Sequence, residues 1–115
     1  MEKNERFDQK TVSRPPPLEF DEAGFLRDPN SWTRAASRVI ARMDGIGPLG
    51  PDHWAIIFYL REAYLSSGML PSMSHVCRVS HLRKDSVRHL FGGCREAWRT
   101  AGLPNPGDEA LSYMD

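Results

Sequence analysis

The stretch PDHWAIIFYLREAYLSSG, residues 51–68, decides the fold of this 115-residue chain. Pro51 suits the first turn of a helix, because its φ is already helical and the N–H that it lacks would have no partner there. Gly68 suits the end of the helix, where a left-handed residue is common. Residues 54–60 are apolar nearly all round, which is typical of a helix buried on several sides. We therefore expect a helix over 51–66 at the centre of the core, which emerges at Arg61 and Glu62.

An amphipathic pattern precedes this segment. Apolar residues recur at helical spacing and predict one buried stripe, formed by Trp32, Ala35, Ala36, Val39, Ile40 and Met43. Asn30 or Ser31 can cap the start of this helix, and Gly45 can end it. Further upstream, apolar and polar side chains alternate in residues 18–26 around a turn. Gly24 can supply the positive φ that such a turn needs, which indicates a small hairpin.

Shorter helices are predicted downstream of the central one. Pro71 and Ser72 open a third helix with Met73, Val76 and Cys77 facing inward, a fourth carries Val87, Leu90 and Phe91, and a fifth spans residues 94–101. The expected fold is thus an all-α orthogonal bundle of about five helices with a small N-terminal β-hairpin. We divide the chain into a mobile N-terminal segment (1–17), a helical domain (18–101) and an extended C-terminal arm (102–115), since the glycines and prolines of 102–107 exclude helix and strand.

The composition limits the classes of partner and the cellular location that we expect. Fifteen basic and fifteen acidic residues cancel, so any electrostatic attraction to a partner must be local. No apolar run approaches the roughly 20 residues needed to span a bilayer, and residues 1–10 do not resemble a signal peptide. We therefore expect a cytoplasmic protein that is not associated with a membrane, and two cysteines make no disulfide framework.

Short motifs are spread in order over roughly residues 18–107, namely Asp21-Glu22-x-Gly24-Phe25-Leu26 with Trp32, His53-Trp54 with Phe58, Leu60, Arg61 and Tyr64, Gly68 with Pro71, Leu90-Phe91-Gly92-Gly93, and Ala101-Gly102-Leu103-Pro104-x-Pro106. Together they resemble the DsrC/TusE family, the gamma-subunit-like proteins of dissimilatory sulfite reductase. The resemblance implies a helical bundle with a hairpin and a flexible C-terminal arm. It also implies partners among sulfur-relay or sulfite-reductase-like proteins, which the arm residues Gly102, Leu103, Pro104 and Pro106 would contact.

The resemblance also implies a chemistry that this chain lacks at the matching positions. In the family, a cysteine near the end of the arm carries a persulfide, toward tRNA thiolation in TusE and toward sulfite reductase in DsrC, which has a second cysteine upstream. Counted from Ala101 without gaps, these positions fall on Glu109 and Trp98, and no cysteine follows Cys94. Neither glutamate nor tryptophan can hold a persulfide, since the reaction needs a thiolate.

Cys94 is the candidate replacement for the missing thiols. It follows two glycines and precedes Arg95, so a helix N-terminus and a positive charge could both favour its thiolate. The alternative is a half-buried cysteine that only packs. Cys77 lies on the inward stripe of the third helix, and we interpret it as a core residue.

A locally basic segment supports a different hypothesis. Residues 71–99 are locally basic, and two of the short helices predicted there, joined by a turn at residues 80–86, resemble a helix-turn-helix. Arg83, Lys84 and Arg88 could contact DNA. The alternative is the solvated face of an ordinary bundle. Histidines 75, 81 and 89 lack the i, i+4 spacing of a helical zinc site, and His53 suits a local structural role, so we expect no metal and no cofactor.

Three functions remain open. The first is a DsrC/TusE-like binding or regulatory protein that carries no sulfur, the second is a persulfide carrier that uses Cys94, and the third is a DNA-binding regulator. The residues favour a protein without catalytic activity. If it has an activity, the resemblance implies a sulfurtransferase-type sulfur carrier.

Overall fold

Five α-helices have defined bounds in the computed structural model, which describes residues 18–68, 70–72, 75–77, 82–83 and 85–114. They are α1 Arg34–Met43, α2 Pro51–Ser67, α3 Ser86–Phe91, α4 Cys94–Thr100 and α5 Asp108–Ser112, and a 3₁₀ turn, Pro29–Ser31, precedes α1. The mostly helical architecture is confirmed, whereas the orthogonal arrangement of the helices stays a prediction. Within these ranges, no helix is long and apolar enough to cross a bilayer. The predicted mobile segment 1–17 lies outside the described residues.

Helix α2 lies at the centre of the core, as its sequence predicts. It ends at Gly68, whose φ is +71°, and Ile56, Ile57 and Leu60 are fully buried. Helix α4 contacts α1, α2 and α3, and so completes the packing around this core. The expectation that α2 emerges at Arg61 is wrong, because Arg61 is only 8% exposed.

Helix α1 is rotated relative to its predicted stripe. The buried positions are Ala36, Ser37, Ile40 and Ala41, whereas Val39 is 38% and Met43 is 65% exposed. Ser37 explains the rotation. Its hydroxyl donates to the carbonyl oxygen of Thr100 at 2.5 Å and accepts from Trp32 Nε1 at 2.6 Å. Turning this hydroxyl toward α4 carries Val39 and Met43 to the surface.

The start of α1 also differs from the prediction. Thr33 is the N-cap, and its hydroxyl accepts from the Ala36 amide at 3.1 Å, whereas Asn30 and Ser31 belong to the 3₁₀ turn. At the other end, Gly45 has a φ of +76°. The amides of Gly45 and Ile46 bond back into the last turn of α1, which is the Schellman arrangement that a glycine at this position permits.

The N-terminal hairpin is present only as one antiparallel bridge, between Phe20 and Leu26. Gly24 has a φ of +90°, as its place in the turn requires. As a two-stranded element, the hairpin stays a prediction.

The remaining helices place their predicted apolar residues inward where the structure describes them. Residues 75–77 are helical, with Val76 and Cys77 fully buried, whereas Met73 lies outside the described residues. Val87 and Phe91 of α3 are buried in the same core.

Arg61 holds two distant segments against α2. Its Nη1 donates to the carbonyl oxygens of Ala101 at 3.0 Å and Gly102 at 3.2 Å, and its Nη2 donates to that of Pro29 at 2.8 Å. The guanidinium also lies over the Trp32 ring, 4.2 Å from its centroid. We call this arrangement the Arg61 clamp. Burial lowers the pKa of Arg61 from its ordinary value, but a guanidinium stays charged in proteins, so the clamp is built on charge-assisted hydrogen bonds.

Gly102 is required by the clamp for two reasons. Its φ is +71°, and a Cβ at this position would overlap the Trp32 indole. Only a residue without a side chain lets the backbone pass this close to the ring at a positive φ.

The chain beyond the clamp is not extended throughout. Residues 103–107 have no regular structure, as predicted, but an extended arm is not confirmed over α5, Asp108–Ser112. Met114 is buried and belongs to the same core as Phe25 and Leu103. The end of the described chain therefore packs on the domain.

Replacing Gly102 tests the close approach to Trp32. We expect Gly102→Ala to lower the free energy of unfolding by at least about 1–2 kcal/mol, because it forces a side chain into a left-handed position and against the indole. Urea denaturation followed by circular dichroism measures the change. Gly47→Ala is the matched control, since an added Cβ there meets nothing within 4 Å. Equal stability of the two variants would contradict the proposed crowding.

Replacing Arg61 tests the clamp itself. Arg61→Met keeps the length of the side chain but leaves buried carbonyl groups without a donor, at roughly 1–3 kcal/mol for each. We expect a loss of about 3 kcal/mol in the same denaturation assay. The control Arg88→Met removes an exposed guanidinium and should change stability by no more than about 0.5 kcal/mol. If both variants unfold alike, the clamp does not contribute as described.

Candidate functional site

Trp98 anchors the C-terminal segment to the core. The side chain is 0% exposed, and its Nε1 donates to the carbonyl oxygen of Pro104 at 2.7 Å. The Tyr64 ring meets it edge-on, with the centroids 5.6 Å apart. Trp98, onto which the resemblance places the upstream thiol by an ungapped count, is thus one of the largest buried side chains among the described residues.

The residues predicted to form a partner-binding arm divide into two groups. Gly102 and Leu103 are buried, and Leu103 is 0% exposed, whereas Pro104 and Pro106 are partly exposed. The Arg61 clamp and Trp98 hold Gly102 and Leu103 in the core in this conformation, so a partner could contact them only if the segment left the core. Their contact with a partner stays a prediction. Pro104 and Pro106 stay candidates for partner contacts.

Glu109 lies on the surface in the first turn of α5. Asp108 precedes it and is also exposed, so the start of this helix is acidic. Carboxylates are favourable there because they face the positive end of the helix dipole. Glu109, onto which the resemblance places the terminal thiol by an ungapped count, thus carries an exposed negative charge.

Cys94 is the first residue of α4 and is partly exposed. The predicted helix start is confirmed, and Gly93 is the N-cap with an extended backbone. A carboxylate lies close by, since a Cβ on Gly93 would come within 2.8 Å of Glu96 Oε1. The reactivity of Cys94 stays a prediction.

Cys77 and His53 have structural surroundings. Cys77 is 1% exposed and belongs to the hydrophobic core, as predicted. His53 Nδ1 accepts from the Gly50 amide at 3.0 Å, so its Nε2 is the nitrogen that can donate, and it lies 3.0 Å from the carbonyl oxygen of Leu90. His53 thus caps α2 and ties it to α3, which confirms the local role expected from the sequence.

The predicted nucleic-acid face is only partly described and is less basic than the sequence suggests. Arg83 lies 3.7 Å from Asp85, and His89 lies 3.1 Å from the same carboxylate. Arg88 is exposed, whereas Lys84 and most of the turn between the two helices lie outside the described residues. Since Asp85 neutralises part of this surface, the geometry does not favour binding to phosphates.

Two features of the structure were not predicted from the sequence. Arg99 pairs with Asp44 at 2.9 Å and its guanidinium lies over Phe25, so it joins α4 to the end of α1 and to the N-terminal turn. These residues are too far apart in the chain for any local pattern to connect them.

Within the described ranges, no group of three or more His, Cys, Asp or Glu side chains is placed to hold a metal ion.

Comparisons with known proteins agree with this geometry. The family model described as DsrC like protein matches residues 14–108. Sulfurtransferase TusE of Escherichia coli K12 is 29% identical over 98 residues, which cover 77% of this chain and 89% of the relative. The gamma subunit of dissimilatory-type sulfite reductase of Nitratidesulfovibrio vulgaris is 31% identical over 91 residues, which cover 77% and 87%.

Solved structures show the same fold. The oxidized gamma subunit of dissimilatory sulfite reductase (DsrC) from Archaeoglobus fulgidus superposes with a TM-score of 0.68 at 29% identity, over 79% of this chain and 90% of the relative. Dissimilatory sulfite reductase I (DsrI) gives a TM-score of 0.71, over 79% of this chain and 89% of the relative. The chain therefore belongs to the DsrC-like family of sulfur-relay proteins.

Proposed function

We propose that this chain is a member of the family that carries no sulfur and acts by binding a protein of a sulfur relay or a sulfite-reductase-type complex. The observation that carries this proposal is that the segment after α4 begins in the core and contains no cysteine. Trp98 and the Arg61 clamp fix its first residues in the core, and no cysteine occurs between Arg95 and Asp115. The scaffold is kept, whereas the group that would bear a persulfide is missing from this segment.

The side chains at the two family positions support the same conclusion. A persulfide forms by attack of a thiolate and needs a sulfur atom to carry it. Glu109 offers a carboxylate on the surface of α5, and Trp98 is enclosed by the core. Neither residue can take part in sulfur transfer, but both are compatible with a folded protein that docks to a partner.

The expected partner class follows from the relatives. Their names describe a sulfurtransferase and a subunit of sulfite reductase, and a subunit works in contact with other proteins. In this chain, the surface available for such a contact at the C-terminal end includes Pro106 and the acidic first turn of α5. A protein that docks this surface without delivering sulfur would compete with a carrier that has the thiol.

A second candidate is a persulfide carrier that uses Cys94, toward tRNA thiolation or a sulfite reductase. The observation in its favour is the partial exposure of Cys94 at the start of α4.

Persulfide loading distinguishes the two candidates. The reduced protein is incubated with inorganic polysulfide, and its intact mass is measured. We expect no stable sulfur adduct on the unmodified chain, whereas Glu109→Cys, which places an exposed thiol on α5, should acquire one and so acts as the positive control. An adduct on the unmodified chain that disappears in Cys94→Ser and remains in Cys77→Ser would contradict our proposal and establish the Cys94 carrier.

Competition tests the binding role. In a reconstituted relay that contains a cysteine-bearing DsrC-like carrier and its persulfide donor, an excess of this chain should lower the rate of sulfur transfer. Bovine serum albumin at the same concentration controls for nonspecific effects. An unchanged rate at saturating concentrations of the chain would contradict competition for a shared docking surface.

A further inference from the structure

The exposed face of α1 carries two parallel rows of side chains. Arg34, Arg38 and Arg42 form one row at i, i+4 and i+8, and Ala35, Val39 and Met43 form the other. All six residues are exposed. Each row spans about 12 Å along the helix axis. The face is therefore both basic and apolar, which is unusual for a surface that only meets water.

Aromatic rings hold two of these arginines in place. The guanidinium of Arg34 lies 5.0 Å from the centroid of Phe58 and 5.6 Å from that of Trp54, and the guanidinium of Arg38 lies 5.4 Å from that of Trp54. A guanidinium packed on a ring still presents its N–H edges outward. Among the described residues, Arg34, Arg38 and Arg42 have no carboxylate within 4.0 Å. Two of the three arginines are thus oriented in advance, and no described carboxylate compensates the charge of the row.

A groove of about 450 Å³ adjoins the same helix. Arg38 and Arg42 line the groove, together with Ala41, Ile46, Gly47, Pro48 and Leu49. An apolar floor beside two cations suits an apolar side chain that is flanked by carboxylates.

We propose that this face of α1 is the docking site for an acidic amphipathic helix of a partner protein. Glutamates or aspartates spaced four residues apart on that helix would match the arginine row in pitch and charge. Its apolar stripe would cover Val39 and Met43 on one side of the arginine row, and an apolar side chain on the other side of its carboxylates would enter the groove. The inference rests on the proposed binding role, because it names the surface and the chemistry of the partner.

Nucleic acid fits this face less well. Bases bind proteins by stacking on open aromatic rings, but guanidinium groups already pack against Trp54. The apolar row and the groove offer nothing to a phosphate backbone. A second copy of the chain also fits poorly, since the acidic helix α5 has only five residues and is shorter than the row of about 12 Å that the arginines form.

Fluorescence anisotropy with a synthetic peptide tests the proposal. The probe is a labelled helical peptide of roughly five turns, with glutamate at every fourth position and leucine in the adjoining row. We expect binding that weakens with added salt. Two double variants remove the rows separately, namely Arg38→Glu/Arg42→Glu and Val39→Ser/Met43→Ser. Each should lower the affinity by about tenfold or more.

Two controls make the outcome decisive. Arg83→Glu/Arg88→Glu changes the net charge equally on another surface and should bind the peptide like the unmodified chain, and thermal melts verify that every variant folds. Equal affinity of all variants would overturn the proposal. It would also be overturned by tighter binding of a labelled single-stranded RNA that depends on the arginines alone, or by self-association in sedimentation that the α1 variants abolish. None of these results depends on persulfide loading, so failure here is distinguishable from failure of the proposed function.

Discussion

The guanidinium of Arg61 donates to three carbonyl groups that come from opposite ends of the described chain, and the rest of the fold is arranged around it. Pro29 lies before α1, and Ala101 and Gly102 lie after α4. Because all three acceptors bind one side chain of the central helix, the entry and the exit of the bundle are fixed together. A charged group buried without a carboxylate is tolerated only when its donors are satisfied in this way. Trp32 closes the arrangement by covering the guanidinium, and it leaves room at residue 102 for glycine alone.

The clamp has a consequence for function. In a relay protein, the segment after the last core helix must present its reactive group to other proteins, but here its first residues belong to the core. Leu103 is enclosed, and Trp98 bonds to Pro104 across the turn. Among the described residues, the surface that we propose for a partner comprises Pro104, Pro106, the acidic start of α5 and the arginine row of α1. Family membership is shown by the shared fold and sequence, whereas the loss of the carrier role is a proposal that rests on this segment.

The sequence predicts the central helix well, because Pro51, Gly68 and the apolar run between them each act locally. It also identifies Cys77 as a core residue from its place on the inward stripe. The predicted buried face of α1 was wrong, because an apolar repeat cannot reveal that Ser37 bonds to Thr100, 63 residues away. Arg61 was predicted at the surface for a similar reason, since a charged residue is ordinarily a surface residue. The three carbonyl groups that accept from Arg61 come from outside α2. Helix α5 is too short to show a periodicity.

The candidate site was predictable only in part. The resemblance places the family's thiol positions on Trp98 and Glu109, which stays a prediction. The burial of Leu103 depends on tertiary contacts that an Ala-Gly-Leu-Pro segment does not encode by itself. Backbone relaxation of the ¹⁵N-labelled protein tests the central claim that this segment is part of the core. We predict order parameters of about 0.85 for the Leu103 amide and a similarly rigid Trp98 indole N–H, as in rigid backbone. Values below about 0.6 at Leu103 would show a mobile arm and contradict the account.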